Sequence, residues 1–197
     1  MVESEDLVDA ATAAGVEPVE LLVAGENVLT ELLGEVSTLG HAPRVIGVYR
    51  RVDLPTGARD VVLALWRVSD PGNVGTLLRT ADAFGAGVAL SPECADPVGP
   101  RALRASAGAI FRVPLVAWDD VPERRIALVA HGGEPLSAVD LTTPVTFLLG
   151  SEREGLPDSL VTHGHKASIP TPGDAESLNV AAAGAIALYE LACRSRT

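Results

Sequence analysis

The chain has 197 residues, 47% of them apolar, which is enough for one compact domain with its own core and a small appendage. Its formal net charge of −11, taken alone, argues against a nucleic-acid partner. The apolar runs are too short to span a bilayer, and the acidic start is unlike a signal peptide, so we expect a cytoplasmic protein with no membrane partner. Two lone cysteines, Cys94 and Cys193, form no motif and favour reduced thiols in that compartment.

The charge is distributed unevenly along the chain. Residues 1–43 contain nine acidic residues and no Lys or Arg, whereas residues 44–125 contain eleven Arg against nine acidic residues. Fourteen of the fifteen basic residues are Arg, the side chain best suited to forked contacts with phosphate, although the base composition of the source genome would produce the same bias. The acidity therefore belongs to an N-terminal segment, and the middle of the chain is mildly basic.

Apolar runs bounded by turn residues predict six strands, at residues 19–24, 44–50, 61–66, 87–92, 125–130 and 145–150. Helical patterns lie among and after them, at residues 26–36, 72–85, 101–110 and 177–194. Continuous apolar strands alternating with helices indicate an α/β fold with a mainly parallel sheet and helices on both faces. The polar stretch at residues 50–60 contains Pro and Gly and predicts a linker, which divides the chain into residues 1–55 and residues 56–197.

Three strand ends carry unusual polar residues, and ligand sites in parallel sheets lie beyond such ends. The first, at residues 69–85, contains Asn73 and Arg79, for which helix capping and a surface salt bridge are the simpler explanations. The second, at residues 148–157, places Glu152 between two glycines, which predicts either a sharp turn that offers backbone groups to a ligand or a solvated turn. The third, at residues 169–180, follows a short strand and places Ser177 and Asn179 where a helix begins, so each alone is most simply a cap.

In this order, the segments PGNVGTLLRTADAFG, LLGSEREGLP and IPTPGDAESLNVAAAGAIALYE resemble the three motifs of the SpoU, or TrmH-type, RNA ribose methyltransferases of the SPOUT superfamily. The resemblance covers about residues 60–194, including the intervening RALRASAGAIFRVPLV. One departure is Thr171, where the third motif commonly has Met. Residues 1–55 look like a short L30e-like substrate-binding segment that lacks the basic leading segment such domains often have.

The resemblance implies that the C-terminal part of the sheet is threaded through a loop to form a deep trefoil knot. It also implies S-adenosylmethionine as the cofactor, ribosomal or transfer RNA as the substrate, and a ribose 2′-OH as the methyl acceptor. A homodimer through the knot and the final helix is expected, because that helix is apolar on nearly all sides. No metal is needed, and His163 and His165 are interpreted as a surface loop rather than a zinc site.

By position, the resemblance assigns catalytic roles to Asn73, Arg79, Glu152, Ser177 and Asn179, and cofactor binding to Ala130, Gly150, Ile169 and Leu178. Arg79 is expected to position the reacting groups and stabilise a developing alkoxide or a phosphate, because a pKa of about 12.5 or higher makes a guanidinium a costly base. Glu152 is expected to hold Arg79 in place. A non-catalytic RNA-binding relative and a SPOUT enzyme that methylates a base or a protein stay open as alternatives.

Overall fold

The computed structural model describes residues 1–173 and 176–194. In chain order these residues form α1 (Glu5–Ala13), β1 (Glu20–Val23), α2 (Thr30–Val36), β2 (Val45–Val48), β3 (Val61–Leu65), α3 (Pro71–Phe84), β4 (Gly87–Leu90), α4 (Pro100–Ser106), β5 (Arg125–Leu128), β6 (Glu134–Pro135), β7 (Val145–Leu149), α5 (Asp158–Thr162), β8 (His165–Ser168) and α6 (Val180–Arg194). Short 3₁₀ turns lie at Arg51–Asp53, Ala109–Phe111 and Trp118–Asp120. Within the described ranges, no helix has the length and hydrophobicity to cross a membrane.

Six strands form one sheet in the order β4-β3-β7-β5-β8-β6, and every neighbouring pair is parallel. The predicted mainly parallel sheet is therefore confirmed. The inner strand β7 is buried over its whole length, as an apolar strand covered on both faces must be. Because all six strands run the same way, their carboxyl ends lie along one edge. The two earliest strands, β1 and β2, stand apart as an antiparallel pair.

The two faces of the sheet are covered unequally. Leu63 and Leu65 of β3 point into the larger core cluster, which α3, α4 and α6 cover, whereas Val62 and Ala64 point into a smaller one that includes Val161 of α5. On the larger face α3 and α6 approach closely, because a Cβ at Gly184 would lie 2.5 Å from Leu77 Cδ2. The predicted helices on both faces are thus present.

The N-terminal segment packs against the same core as the sheet. Leu7 and Ala11 of α1 are buried in the larger cluster, and so is Leu54. The stretch that the sequence predicts as a linker is therefore anchored, and the Pro55 carbonyl accepts a hydrogen bond from the Leu115 amide at 2.9 Å. The division of the chain at residue 55 stays a prediction.

The two histidines near the start of β8 do not share a loop. His163 ends α5, with Nδ1 2.5 Å from the carbonyl oxygen of Ser159, and His165 is the first residue of β8. The Nε2 atom of His165 lies 2.8 Å from Oε2 of Glu134 on the neighbouring strand β6. Both side chains are exposed as predicted, but a helix end and a strand hold them rather than a loop.

Candidate functional site

The three polar segments meet at the carboxyl edge of the sheet. The first follows β3, the second follows β7 and the third follows β8. The ends of β3 and β7 are neighbours, since Leu65 pairs with Leu149 and the amide of Trp66 donates to the Leu149 carbonyl at 2.8 Å. Segments far apart in the sequence are thus brought to one place by the parallel sheet, as expected for this fold class.

A line of three side chains joins the segments, and we call Asn73, Glu152 and Asn179 the motif junction. Asn179 Nδ2 donates to Asn73 Oδ1 at 3.0 Å, and Asn73 Nδ2 donates to Glu152 Oε1 at 2.9 Å. The first pair is separated by 106 residues and the second by 79, so only the fold brings them together. Three of the five residues predicted to be catalytic are therefore in direct contact.

Glu152 also holds the start of α3. Its Oε2 accepts from the amide and the hydroxyl of Ser69 at 3.2 and 3.3 Å, and its Oε1 accepts from the amide of Asp70 at 3.2 Å. Partial burial raises the pKa of Glu152, but hydrogen bonds from Asn73, Ser69 and Asp70 outweigh burial and bring the pKa below its ordinary value. The carboxylate is therefore ionised at neutral pH, with protein donors on both of its oxygens.

The hydrogen bonds at the two helix starts show whether Asn73 and Asn179 act as helix caps. Asp70 is the cap of α3, because its Oδ1 accepts from the Asn73 amide at 2.9 Å, which leaves the Asn73 side chain for the junction. Capping is therefore wrong for Asn73. It is right for Asn179, whose Oδ1 accepts from the amides of Ala181 and Ala182 at 2.9 and 3.3 Å. Asn179 caps α6 with one atom and bridges to Asn73 with the other.

An open cavity of about 820 Å³ lies beside the junction. Its walls come from the ends of β5, β7 and β8 and from the segment before α6, and they include all four positions predicted to bind cofactor: Ala130, Gly150, Ile169 and Leu178. Glu152, Ser177 and Asn179 line it too. The volume is within the roughly 300–1,000 Å³ typical of small-ligand sites.

The cavity wall carries unused backbone groups. Among the described residues, the amides and carbonyls of Ala130, Gly150, Ile169 and Leu178 form no hydrogen bond, because each lies just beyond a strand or just before a helix. Such groups require partners when water is excluded from them. The cavity therefore fits a ligand that offers both donors and acceptors between apolar walls, as a nucleoside does.

Gly150 serves the turn behind the cavity. A Cβ at this position would lie 2.2 Å from the carbonyl carbon of Gly155 and 2.4 Å from the amide nitrogen of Leu156. The chain folds back here, since Ser151 and Gly155 exchange two backbone hydrogen bonds of 3.2 and 3.0 Å and Gly155 has a φ of 68°. The predicted sharp turn is present, and its tip carries Glu152 to α3. Glycine is required at position 150 by this fold-back, whether or not a ligand is bound.

Arg79 lies outside this arrangement. Its side chain is exposed on α3 and does not line the cavity. Glu152 does not contact Arg79 within the described residues of one chain: six residues, about one and two-thirds helical turns, separate Arg79 from Asn73, so the two side chains leave different sides of the helix. The salt-bridge explanation fails as well, because no carboxylate of residues 1–173 or 176–194 pairs with this guanidinium.

Sequence reasoning missed the role of Ser69 and Asp70. Asp70 stands directly before a proline that occupies the first position of α3, and that order is a known helix-start signal. This signal identifies Asp70 as the cap of α3, which leaves the side chain of Asn73 available for another role. The donation from Ser69 to Glu152 has no local signal, because the acceptor is 83 residues away.

Comparison with known proteins gives the same assignment for most of the chain. Residues 60–189 match the sequence model of the SpoU rRNA Methylase family. An uncharacterised tRNA/rRNA methyltransferase of Synechocystis is 37% identical over 140 residues, 65% of this chain and 51% of the relative. The 23S rRNA (uridine(2479)-2′-O)-methyltransferase of Streptomyces viridochromogenes is 37% identical over 141 residues, 63% of this chain and 49% of the relative. The chain thus spans about half the length of the curated relatives it matches.

A solved structure extends the similarity to the N-terminal segment. The SpoU methyltransferase AviRb from Streptomyces viridochromogenes, in complex with the cofactor AdoMet, superimposes with a TM-score of 0.86. The alignment has 26% sequence identity and covers 100% of this chain and 90% of that one. Residues 1–55 therefore have a structural counterpart in that relative.

Proposed function

The chain belongs to the SpoU rRNA methylase family, and we propose that it transfers a methyl group from S-adenosylmethionine to a ribose 2′-OH of ribosomal or transfer RNA. The observation that carries the proposal is the motif junction. Asn73, Glu152 and Asn179 come from the three motifs and form one hydrogen-bonded line beside a ligand-sized cavity. A non-catalytic relative would need Glu152 and Asn179 only for the starts of α3 and α6, and the cavity beside them would need no ligand.

The cavity has the groups that S-adenosylmethionine requires. The unpaired backbone groups at positions 130, 150, 169 and 178 would hold the adenosyl moiety, and the apolar wall includes Leu149 and Leu156. AviRb, the relative crystallised with AdoMet, supports this choice of ligand. When bound, the cofactor supplies an electrophilic methyl group on a sulfonium sulfur.

The remaining side chains act on the acceptor. Ser177 lines the cavity, and its hydroxyl has no hydrogen-bond partner among the described residues, so it is free to orient a ribose. Arg79 supplies the cation that stabilises the developing alkoxide or a neighbouring phosphate. The 2′-O-methyltransferase of Streptomyces viridochromogenes, 37% identical over the matched region, supports a ribose acceptor.

A homodimer belongs to the same proposal. Ala182, Ile186, Tyr189 and Cys193 are exposed on one face of α6, where Ile186 is 37% and Tyr189 is 62% accessible. The helix α3, which carries Arg79, packs on α6. Arg79 lies away from the cavity of its own chain, so its catalytic role requires that it reach the cavity of a second copy. The knot and the L30e-like nature of residues 1–55 are further parts of the proposal.

The experiment begins by mapping 2′-O-methyl sites in RNA from cells with and without the protein. Methyl transfer is then measured on the mapped RNA and on the same RNA with hydrogen in place of the one target 2′-OH. We expect transfer only to the first, with RNA binding nearly unchanged in the second. Transfer to the deoxy RNA would identify a base as the acceptor. An absence of S-adenosylmethionine binding by calorimetry would instead identify a non-catalytic RNA-binding protein.

A further inference from the structure

A second group of side chains lies at the same edge of the sheet, outside the cavity. The ring of Trp66, the residue after β3, is 5.8 Å from that of Trp118, centroid to centroid, and the two rings are tilted by 49°. The Arg67 guanidinium lies over the Trp66 ring, 5.5 Å from its centroid. We call Trp118, Trp66 and Arg67 the tryptophan–arginine stack. Its outer member is open to solvent, since the Arg67 side chain is 43% exposed.

The backbone that presents Arg67 is strained. Three non-glycine residues of the described chain have positive φ, and two of them are Arg67 at 52° and Glu93 at 70°. These two form an ion pair, with Arg67 Nη2 2.9 Å from Glu93 Oε1. A left-handed backbone is unfavourable for residues with a Cβ, and an exposed ion pair stabilises a protein little. Stability therefore does not explain the arrangement, and strain of this kind concentrates at functional sites.

Two hydrogen bonds from backbone amides fix the turn that carries the stack. The Arg67 amide donates to the hydroxyl of Ser91 at 2.9 Å, and Ser91 is only 4% exposed. The Trp66 amide donates to the Leu149 carbonyl at 2.8 Å, and Leu149 lines the cavity. The backbone of the turn is thus fixed, and Trp66 and Glu93 contact the guanidinium before any partner arrives, which lowers the entropy that binding must cost. The same bond ties the stack to a wall of the cavity.

The Arg67 guanidinium lies over Trp66 on one side and is open to solvent, so a flat, electron-rich group can approach it from outside. Bases in single-stranded RNA are recognised by stacking on aromatic rings and on Arg planes, whereas bases inside a duplex are covered on both faces. We propose that the tryptophan–arginine stack binds an unpaired base of the RNA substrate that flanks the methylated nucleotide. This proposal rests on the proposed function for the identity of its partner.

The test measures binding of a fluorescently labelled ten-nucleotide oligouridylate by anisotropy, without cofactor. Arg67→Ala and Arg67→Lys should each weaken binding about tenfold, since base stacking is lost in both. Lysine keeps the charge but has no plane, so it separates stacking from contact with a phosphate. Arg124→Ala is the matched control: Arg124 is 47% exposed and ion-paired to Asp140 at 2.7 Å, but it lies at the amino end of β5. Its affinity should stay within about twofold of the unmodified protein.

Two further measurements distinguish a loss of RNA binding from a loss of folding. Arg67→Gly relieves the left-handed backbone while removing the guanidinium, so it should fold at least as stably as the unmodified protein and still lose affinity. A blunt RNA duplex of ten base pairs should bind all variants equally. Because Trp66 and Trp118 are the only two tryptophans in the chain, their emission should also change when the single strand binds.

Unchanged affinity in Arg67→Ala, or full affinity in Arg67→Lys, would overturn the proposal. These outcomes are distinguishable from failure of the proposed function. S-adenosylmethionine binding and methyl transfer are measured separately, so an active enzyme with normal oligouridylate binding in both Arg67 variants would refute only the stack.

Discussion

The motif junction and the cavity beside it use hydrogen-bonding groups in opposite ways. In the junction, Asn73, Glu152 and Asn179 use their side-chain oxygens and amide nitrogens on one another and on the starts of α3 and α6. In the cavity, the backbone groups of four predicted cofactor positions have no partner in the described chain. The polar groups of the junction join three segments of the chain, whereas the backbone groups of the cavity wall are available to a ligand.

This difference predicts how substitutions should divide. A change in the junction leaves a polar group without its partner, so it should lower both stability and activity. A change to a cavity-wall residue that serves no turn or helix cap should lower ligand affinity and leave the free energy of unfolding nearly unchanged. Arg79 belongs to neither the junction nor the cavity wall, so its substitution is the first test of this division.

The largest effect is expected for Arg79→Ala. Methyl transfer should fall by roughly 10²–10³-fold, as when one stabilising donor is removed from a transition state. S-adenosylmethionine affinity should be unchanged, and the free energy of unfolding should change by less than about 0.5 kcal/mol. Single-turnover kinetics, calorimetry and urea denaturation check the three statements.

The controls for this prediction are Arg79→Lys and Arg59→Ala. The lysine variant should also fail, because an ammonium cannot reproduce the guanidinium fork. Arg59 is likewise exposed, and among the described residues its guanidinium donates a hydrogen bond only to the neighbouring Ala58 carbonyl, so its loss should be silent. Full activity in Arg79→Ala would mean that the junction and the cavity alone carry the chemistry.

The next largest effect is expected for Gly150→Ala. The new methyl group would meet the backbone of Gly155 and Leu156 at 2.2 and 2.4 Å, so the turn that carries Glu152 must shift. A shift of about 1 Å costs on the order of 10²-fold in methyl transfer, and cofactor affinity should fall with it. The matched variant is Gly155→Ala in the same turn, which meets no atom within 4 Å and suffers only its φ of 68°. That strain costs about 1 kcal/mol, so equal losses in the two variants would contradict the steric argument.

Most of the sheet was predictable because its strands are continuous apolar runs. The predicted runs at 61–66 and 145–150 became β3 and β7, and the helix expected at 72–85 became α3. The two-residue strand β6 and the short helix α5 carry too few residues for a periodic signal, and α1 has three acidic residues and only two large apolar ones. These elements form because the larger body offers them a surface.

The site was predictable to the level of residue identity but not of partners. Asn73, Glu152 and Asn179 stand out in the sequence, yet the hydrogen bonds between them join residues 79 and 106 positions apart. The sequence around each residue does not predict which atoms form these bonds. The predicted Glu152–Arg79 pair does not form among the described residues of one chain, because Glu152 contacts Asn73, and Arg79 leaves a different side of α3. The tryptophan–arginine stack gave no sequence signal, because it depends on a left-handed backbone at Arg67.

Asn73→Asp tests the structural role of the junction through the free energy of unfolding. It replaces the donor that lies 2.9 Å from Glu152 Oε1 with a carboxylate oxygen, so two like charges face each other. We expect a loss of about 2 kcal/mol at pH 7 in urea denaturation, from the lost hydrogen bond and the repulsion. Repulsion raises the folded pKa of the pair, so the deficit relative to the unmodified protein should shrink as pH falls toward about 4. Asn73→Ala lacks the charge, so its deficit should not recover in that way. A deficit in Asn73→Asp that is constant with pH would exclude the charge repulsion.

The smallest effect is the acid dependence of Glu152 itself. Its folded pKa is lowered, so the stability it contributes is fully present above the ordinary Glu pKa of about 4.3 and is lost as pH falls through the folded pKa. Glu152→Gln should therefore be less stable at pH 7, but only slightly, because the carboxylate is exposed and screened by solvent, and this deficit should fade below about pH 4. Urea denaturation across the pH range measures both statements.

Asp140 provides the control that ties this acid dependence to the site. Its pKa is lowered to about 2 by hydrogen bonds from Thr142 and Arg124, but its partner Arg124 directly precedes β5, and Asp140 does not line the cavity. Both carboxylates lose their stabilising charge in acid, yet only Glu152 holds the start of α3 beside the cavity. S-adenosylmethionine affinity should accordingly weaken as pH falls below about 4 in the unmodified protein and in Asp140→Asn alike, and should change less over that interval in Glu152→Gln. If all three proteins lost affinity in parallel, the acid dependence would belong to another group, and the junction would hold the fold without governing the cavity.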